Sequence, residues 1–395
     1  YIENRQQAAL KVQANAQAKS TKSTAAYKIP VVIHVVLTAA QQTQLGGTAG
    51  IIKRIDSQMK VLNRDFQKMN SDSNLIPAVF KPLYGNANME FGLAHRKPNG
   101  QSTLGYEIIT TTANSYDATG GTVGSQFSCS DVKYPSQGGA AAWDPSKYLN
   151  IWVTNFTQTS ILGIAAPASF IGWGFPVGEV GVVINYRAFG KRSSMSDSYI
   201  SGIDKGRTTT HEVGHFFNLS HIWGDNDDCS DDDGIGDTPK QDDANYTACS
   251  PQVLTNCTGS AGGQMYMNYM DYVEDGCMVM FSKGQVTVMQ NFYPTALIPD
   301  PNIFLFPTEV PQFEIENQFD IFPNPTNGKI NINFASVPES LQNITITNMV
   351  GQKVYEQNAA NTTIYNIDIT GMSKGIYFVK CHFAEGMVTR KIVLE

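Results

Sequence analysis

The pattern of apolar and polar positions changes period several times along the chain. Ile29–Leu37 reads IPVVIHVVL, nearly continuous and β-branched, which predicts a strand covered on both faces. Between Ile51 and Met69 the apolar positions Ile51, Ile55, Met59, Leu62 and Phe66 recur every three or four residues, which predicts a helix with one buried stripe. Met89–Ala94, Tyr148–Thr154 and Val180–Tyr186 read as short strands, and Arg207–Leu219 and Ser282–Phe292 as helices. The most apolar stretch, Ile161–Ile184, is broken by Pro167 and Pro176 and by several glycines. It reads as buried loop and strand, and nowhere does a run of about 18 apolar residues predict a membrane span. Strands interspersed with a few long helices over residues 28–298 predict an α/β (α+β) domain.

Past that domain the texture changes. Residues 299–315 are irregular and carry prolines, which predicts a linker. Residues 316–395 hold short strands at regular spacing, at Lys329–Phe334, Ile344–Asn348, Lys353–Tyr355, Thr363–Ile369, Gly375–Lys380 and Val388–Leu394, with turns at Asn327-Gly328 and Gly351. This predicts a small all-β sandwich. At the other end, residues 1–27 are rich in Gln, Ala, Lys and Ser and read as a leader or prosegment remnant, or as a disordered terminus.

Composition narrows the function classes. A chain of 395 residues suits two domains, and 42% hydrophobic residues suffice for a sizeable core. Charged residues make up only 16% and the net charge is −7, which argues against nucleic acid as a partner.

The chemistry is concentrated in His211-Glu212-Val213-Gly214-His215-Phe216-Phe217-Asn218-Leu219-Ser220-His221. On a helix, His211 and His215 lie one turn apart and project from one face, with Glu212 adjacent to reach a water on a shared metal. His221 lies six residues past His215, about 240° round a continuous helix. It can join the other two only if the helix ends between them. Asn218 is where the turn is needed, because Asn tolerates the left-handed conformation best among non-glycine residues. Three His ligands leave one position of a tetrahedral zinc open, as a catalytic site requires. His34, His95 and His382 show no such spacing.

This segment resembles the metzincin signature, with Asn218 in place of the usual Gly. The resemblance implies that Met270, 49 residues past His221 in Asn268-Tyr269-Met270-Asp271-Tyr272, is the methionine of a tight turn below the metal. It also implies that Tyr272 lies close to the zinc.

Of six cysteines, Cys229, Cys249, Cys257 and Cys277 are clustered, which suggests two disulfides and an oxidising compartment. Spacing leaves all three connectivities open. Seven Asp fall between Asp225 and Asp237, with Gly234 and Gly236 among them. Carboxylates on a flexible loop suit calcium, the alternative being a solvated acidic loop.

With these pieces, residues 28–295 resemble a bacterial pappalysin-family metalloprotease. The resemblance extends to Val61-Leu62-Asn63-Arg64-Asp65-Phe66, Tyr148-Leu149-Asn150-Ile151-Trp152-Val153, Gly181-Val182-Val183-Ile184-Asn185-Tyr186 and Cys277-Met278. It implies the crossed pairing Cys229–Cys257 and Cys249–Cys277. Asp237-Thr238-Pro239 resembles a stretch near calcium in that family, which with the acidic loop makes Asp231, Asp233, Asp237 and Thr238 the candidate calcium ligands. The resemblance also sets Glu274 and Asp275 beside the primed-side pocket, where an acidic floor would favour Arg or Lys after the scissile bond.

Residues 316–395 resemble the C-terminal sorting domain of type IX secretion, through Phe322-Pro323-Asn324-Pro325-Thr326-Asn327-Gly328, Gly351-Gln352, Gly375-Ile376-Tyr377 and Lys391-Ile392-Val393-Leu394. That implies export across a Gram-negative outer membrane to the medium or cell surface, with the secretion machinery as partner. The expected function is a secreted zinc endopeptidase acting on proteins or peptides, with Glu212 as base and Tyr272 assisting. The rivals are a zinc hydrolase of another fold, a binding protein with a decayed protease domain, and an adhesin. The third His and the intact Glu212 speak against the first two.

Overall fold

The computed structural model describes residues 27–194, 197–224, 226, 228–246, 249, 257, 262–297, 301–304, 319–334, 341–360, 362–383 and 386–395. The leader expected over residues 1–27, Tyr27 apart, lies outside these, as do most of the linker expected over 299–315 and two acids of the expected calcium loop, Asp225 and Asp227. The chain divides into two compact units, residues 1–307 and 308–395.

The first unit builds one sheet from β1 (Tyr27–Leu37), β2 (Met89–Leu93), β3 (Tyr106–Thr110), β4 (Leu149–Thr154), β5 (Gly163–Ala166) and β6 (Gly181–Asn185). Its helices are α1 (Ala39–Gln44), α2 (Gly47–Phe66), α3 (Arg207–Phe216) and α4 (Lys283–Ala296). β1 is buried from Ile29 to Leu37, the condition under which an unbroken β-branched run is stable. β4 runs parallel to it on one side. On the other side β2 pairs with its first half and β3 with its second, both parallel. β6 continues the sheet beyond β4, and β5 closes it as an antiparallel edge strand.

α2 buries Ile51, Ile55, Met59, Leu62 and Phe66, the stripe expected from the sequence. It begins earlier than expected, at Gly47, and ends at Phe66, where Lys68 turns the chain with φ +58. α4 opens on a capping box between Ser282 and Gln285 and runs past Phe292 to Ala296. α1, β3 and β5 carry little sequence signal. β5 reads GIAA, and Gly and Ala have weak strand preference.

Two expectations are corrected. The stretch Ile161–Ile184 is not simply buried loop and strand. Between β5 and β6 lie two 3-10 turns, Ala168–Trp173 and Val177–Glu179, each preceded by a proline, Pro167 or Pro176. These turns leave Ile171, Trp173 and Val177 exposed at 38%, 46% and 51%. The stretch expected as linker also includes a turn that belongs to the first unit. Pro301–Phe304 is a 3-10 turn in which Ile303 is buried with Val32, Ala94 and Tyr148, and His95 N donates to Ile303 O at 2.8 Å.

The second unit pairs its strands antiparallel in two sheets. One has the order β10 (Lys353–Asn358), β9 (Leu341–Asn348), β12 (Gly375–Phe383), β13 (Gly386–Leu394). The other has β11 (Ile364–Asp368), β8 (Lys329–Phe334), β7 (Phe319–Phe322). Ile330 and Ile332 of one sheet and Ile344, Ile346, Val379 and Ile392 of the other contribute to its core; β8 alternates buried and less buried positions, whereas in β9 Thr345 and Thr347 are buried as well.

Candidate metal centre

The site is built on α3, and its two ends are fixed by residues far away in sequence. At the start, Asp275 Oδ2 accepts from Lys205 N at 2.7 Å and Arg207 N at 3.3 Å. Amides before and in the first helical turn lack partners within the helix, so a carboxylate from another segment can satisfy them. Arg207 pairs with Asp65 at 3.1 Å and with Asp72 at 3.1 Å. Thr210 Oγ1 donates to the same Asp65 carboxylate at 2.7 Å, which ties the zinc-motif helix to α2.

At the end of α3, Leu219 N donates to Gly214 O at 3.0 Å and Asn218 N to His215 O at 2.8 Å, with Asn218 at φ +70. These two bonds and one left-handed residue make a Schellman motif. The chain therefore reverses within a few residues and returns His221 to the face that carries His211 and His215. Inside the helix, Gly214 has no room for a side chain. A Cβ there would lie 2.5 Å from Met270 Sδ, so the fully buried Met270 packs directly beneath the two histidines.

The three imidazoles converge. His215 Nε2 is 3.0 Å from His211 Nε2 and 3.0 Å from His221 Nε2. His211 Nδ1 donates to Tyr269 O at 2.7 Å and His215 Nδ1 to Leu219 O at 2.7 Å, which leaves both Nε2 lone pairs pointing inward. Burial pushes the His211 pKa down to about 4, so the ring is a neutral ligand. Zinc takes imidazole nitrogens at about 2.0–2.1 Å, which puts the nitrogens of a tetrahedral site about 3.3 Å apart. The donor set and its spacing fit zinc. Trp223 stacks on His221, 4.4 Å between centroids and 5° between planes, and Tyr272 Oη lies 2.9 Å from His221 Nε2. Burial raises the Glu212 carboxyl to about 8, and a bound cation would act in the opposite sense.

The centre opens into a cavity of about 230 Å³ lined by β5, the turn Ala168–Trp173, Asp233–Ile235, Tyr272 and Val288. Gly163 is pressed against Glu212. A Cβ at 163 would lie 2.6 Å from Glu212 Oε1. Phe170, Trp173 and Val288 were not singled out from sequence. The only hint was a cluster of aromatics between two prolines.

Of the other expected site residues, Glu274 and Asp275 lie away from the cavity. Asp275 was expected, with Glu274, on the floor of a specificity pocket. It is 1% exposed and turned inward to α3. Glu274 is exposed, packed over Gly202, and neither residue lines the cavity. Asp237 accepts from Ser282 Oγ at 2.6 Å and Gly284 N at 2.9 Å, so it holds the start of α4. Asp231 lies against Gly224. Thr238 Oγ1 donates to Asp233 Oδ1 at 2.6 Å. Cys229 is bonded to Cys257 and Cys249 to Cys277. His34 is set between Glu107 and Asn150, away from the centre.

A family model described as pregnancy-associated plasma protein-A matches residues 134–293. One described as the secretion system C-terminal sorting domain matches residues 320–395, which marks the chain for type IX export. Among the described residues, no helix is long and apolar enough to cross a membrane. Two fungal extracellular metalloproteases are similar over short stretches. That of Arthroderma otae is 40% identical over 84 residues, 21% of this chain and 30% of that protein. That of Verticillium alfalfae is 37% identical over 96 residues, 24% and 32%. The match thus spans about a third of the curated relatives' length. Solved structures agree over a longer reach. Mature mirolysin of Tannerella forsythia, in complex with a cleaved peptide, is 38% identical with a TM-score of 0.62, over 72% of this chain and 100% of that one. A promirolysin mutant from the same organism gives 38% and 0.61, over 73% and 88%. With a relative at that identity matched along its whole length around three converging imidazoles, this chain belongs to the pregnancy-associated plasma protein-A family of metallopeptidases.

Proposed function

We propose that the chain is a secreted zinc endopeptidase in which Glu212 moves the proton. The observation that carries this reading is the meeting of three imidazole nitrogens beside a buried carboxyl at the edge of an open cavity. Held by His211, His215 and His221, zinc supplies a polarised scissile carbonyl and a water acidic enough to lose a proton near neutral pH. Glu212 takes that proton as the water oxygen bonds to the carbonyl carbon, then passes it to the amide nitrogen as the C–N bond breaks. Tyr272 donates its hydroxyl to the carbonyl oxygen as charge develops there. Met270 supports the histidines from below and takes no part in the chemistry. A substrate chain is read as an added strand on the outer edge of β5, the last strand of the sheet.

In Glu212→Ala, zinc content should hold while hydrolysis of a denatured protein falls about 10²–10⁴-fold. Activity close to wild type would sink the base assignment. Loss of wild-type hydrolysis to a chelator and its return with zinc separates the peptidase from a binding protein.

Two finer readings turn on Asp233. Its Oδ2 is buried without a hydrogen-bond partner, and burial pushes its carboxyl well up. Such an oxygen calls for a cation. Calcium, with Asp233 and Thr238 among its ligands, is the reading favoured. The other is the head of an Arg or Lys side chain that follows the scissile bond, since Asp233 lines the cavity. A calcium-selective chelator should lower the melting temperature. No shift, with fragments that begin in Arg or Lys, would favour the substrate reading. Residues 316–395 are proposed to address the chain to the type IX machinery and to be removed after export.

A further inference from the structure

One wall of the cavity bears aromatic surface that the proton chemistry does not use. Trp173 is 46% exposed and Ile171 38%, on a 3-10 turn that lines the cavity through Phe170 and Trp173. Exposed apolar surface is costly unless something covers it during function. The turn is firmly held. Ser169 Oγ and Asn218 Oδ1 are 3.2 Å apart, which joins it to the end of α3. Trp173 stacks on Phe170 at 5.2 Å and 28°, and Phe170 meets Phe175 edge-on at 5.7 Å. Beneath Phe175 the fully buried Lys133 ammonium lies 6.0 Å from the ring and donates to Glu179 O at 2.8 Å. Val288 of α4, a helix that packs against this turn, lines the same cavity. The aromatic surface is therefore preorganised, and binding there costs little ordering.

The strand direction says which part of a substrate meets it. Glu212 lies against Gly163, at the start of β5, so the scissile bond belongs there. Antiparallel pairing is the commoner arrangement, and a peptide added to this edge in that sense runs against β5. Its residues before the scissile bond then pass Ala165 and Ala166 toward Trp173. At about 3.3 Å per residue, the turn is reached within about three residues.

We propose that Phe170 and Trp173 form a subsite for a bulky apolar or aromatic side chain carried by the substrate shortly before the scissile bond. The subsite rests on the peptidase reading above and adds a second determinant of specificity to it. The fit is of ring faces and methyl groups, with no charge demanded.

The test uses internally quenched peptides of one scissile sequence, with Phe, Leu, Ala, Gly or Asp placed in turn at each of the three preceding positions. At one position, wild type should favour Phe or Leu over Gly by about tenfold or more in kcat/KM. Trp173→Ala should bring that ratio to within about twofold, and Trp173→Phe should keep most of it. No preference in wild type, or an unchanged ratio in Trp173→Ala, overturns the subsite. Phe170→Leu gives a second reading should Trp173→Ala fold poorly. If wild type cuts none of the peptides, the peptidase reading fails. Peptide affinity on Glu212→Ala, where nothing is cut, then decides the subsite by itself, and equal affinity for the Phe and Gly peptides overturns it.

Discussion

Gly163 shows how closely a single atom is constrained at this centre. Its missing Cβ is the space that Glu212 occupies, 2.6 Å from Oε1. In Gly163→Ala the carboxyl must move, and displacements of about 1 Å at a reacting group cost about a hundredfold. We expect kcat to fall by that order while zinc content and melting temperature change little. A normal kcat would mean that Glu212 has a second productive rotamer. Little of this was legible in the sequence. A glycine in a weak strand motif carries no sign that a carboxyl from a distant helix leans on it. The histidines were legible because their spacing is local, set by one helical turn and one reversal.

Among the elements, α3 is held less by its own sequence than by what caps it. Its first turn has no side-chain cap of its own, and the Asp275 carboxylate takes that role from the segment after Met270. Burial raises the Asp275 carboxyl to about 6, although the amides it accepts from pull it back. Between the unfolded value near 3.8 and about 6, the folded state binds the extra proton. Wild type therefore loses stability at this site as pH rises through that window, by at most about 1.4 kcal/mol per unit. Asp275→Asn cannot titrate. Its melting temperature relative to wild type should improve from pH 4 to 6 and level off above. Movement the other way would mean that the helix terminus outweighs burial. From sequence, Glu274 and Asp275 read alike as candidates for the substrate's side, because nothing local says which side of a turn faces the protein. The stripe of α2 and the buried run of β1 were legible because their period is the local imprint of one covered face or two. β5 and the turn Ala168–Trp173 obey no such period, since they fit a cavity and not a core.

At the scale of the molecule, two units with separate cores imply separate duties. The disulfides Cys229–Cys257 and Cys249–Cys277 each close a loop of sequence separation 28, worth about 3–4 kcal/mol in the chain-entropy model. They fasten the acidic loop and the segment behind Met270 within the first unit. The two-domain plan was legible from the change in strand spacing and from the prolines between. The boundary at residue 307 falls inside the expected linker, but Pro301–Phe304 reads as linker by composition and is core by contact. Ile303 is 3% exposed, and Phe304 so closely covers Gly92 that a Cβ there would lie 2.8 Å from its ring. Those last residues work as a stopper in the back of the metallopeptidase unit. A chain ended after Pro307 should keep its melting temperature and its hydrolysis, whereas one ended after Asp300 should melt several degrees lower. Equal melting would make the turn an ornament. Were the sorting domain removed after export, as proposed above, the cut would have to fall beyond Phe304, or the released unit would leave uncorked.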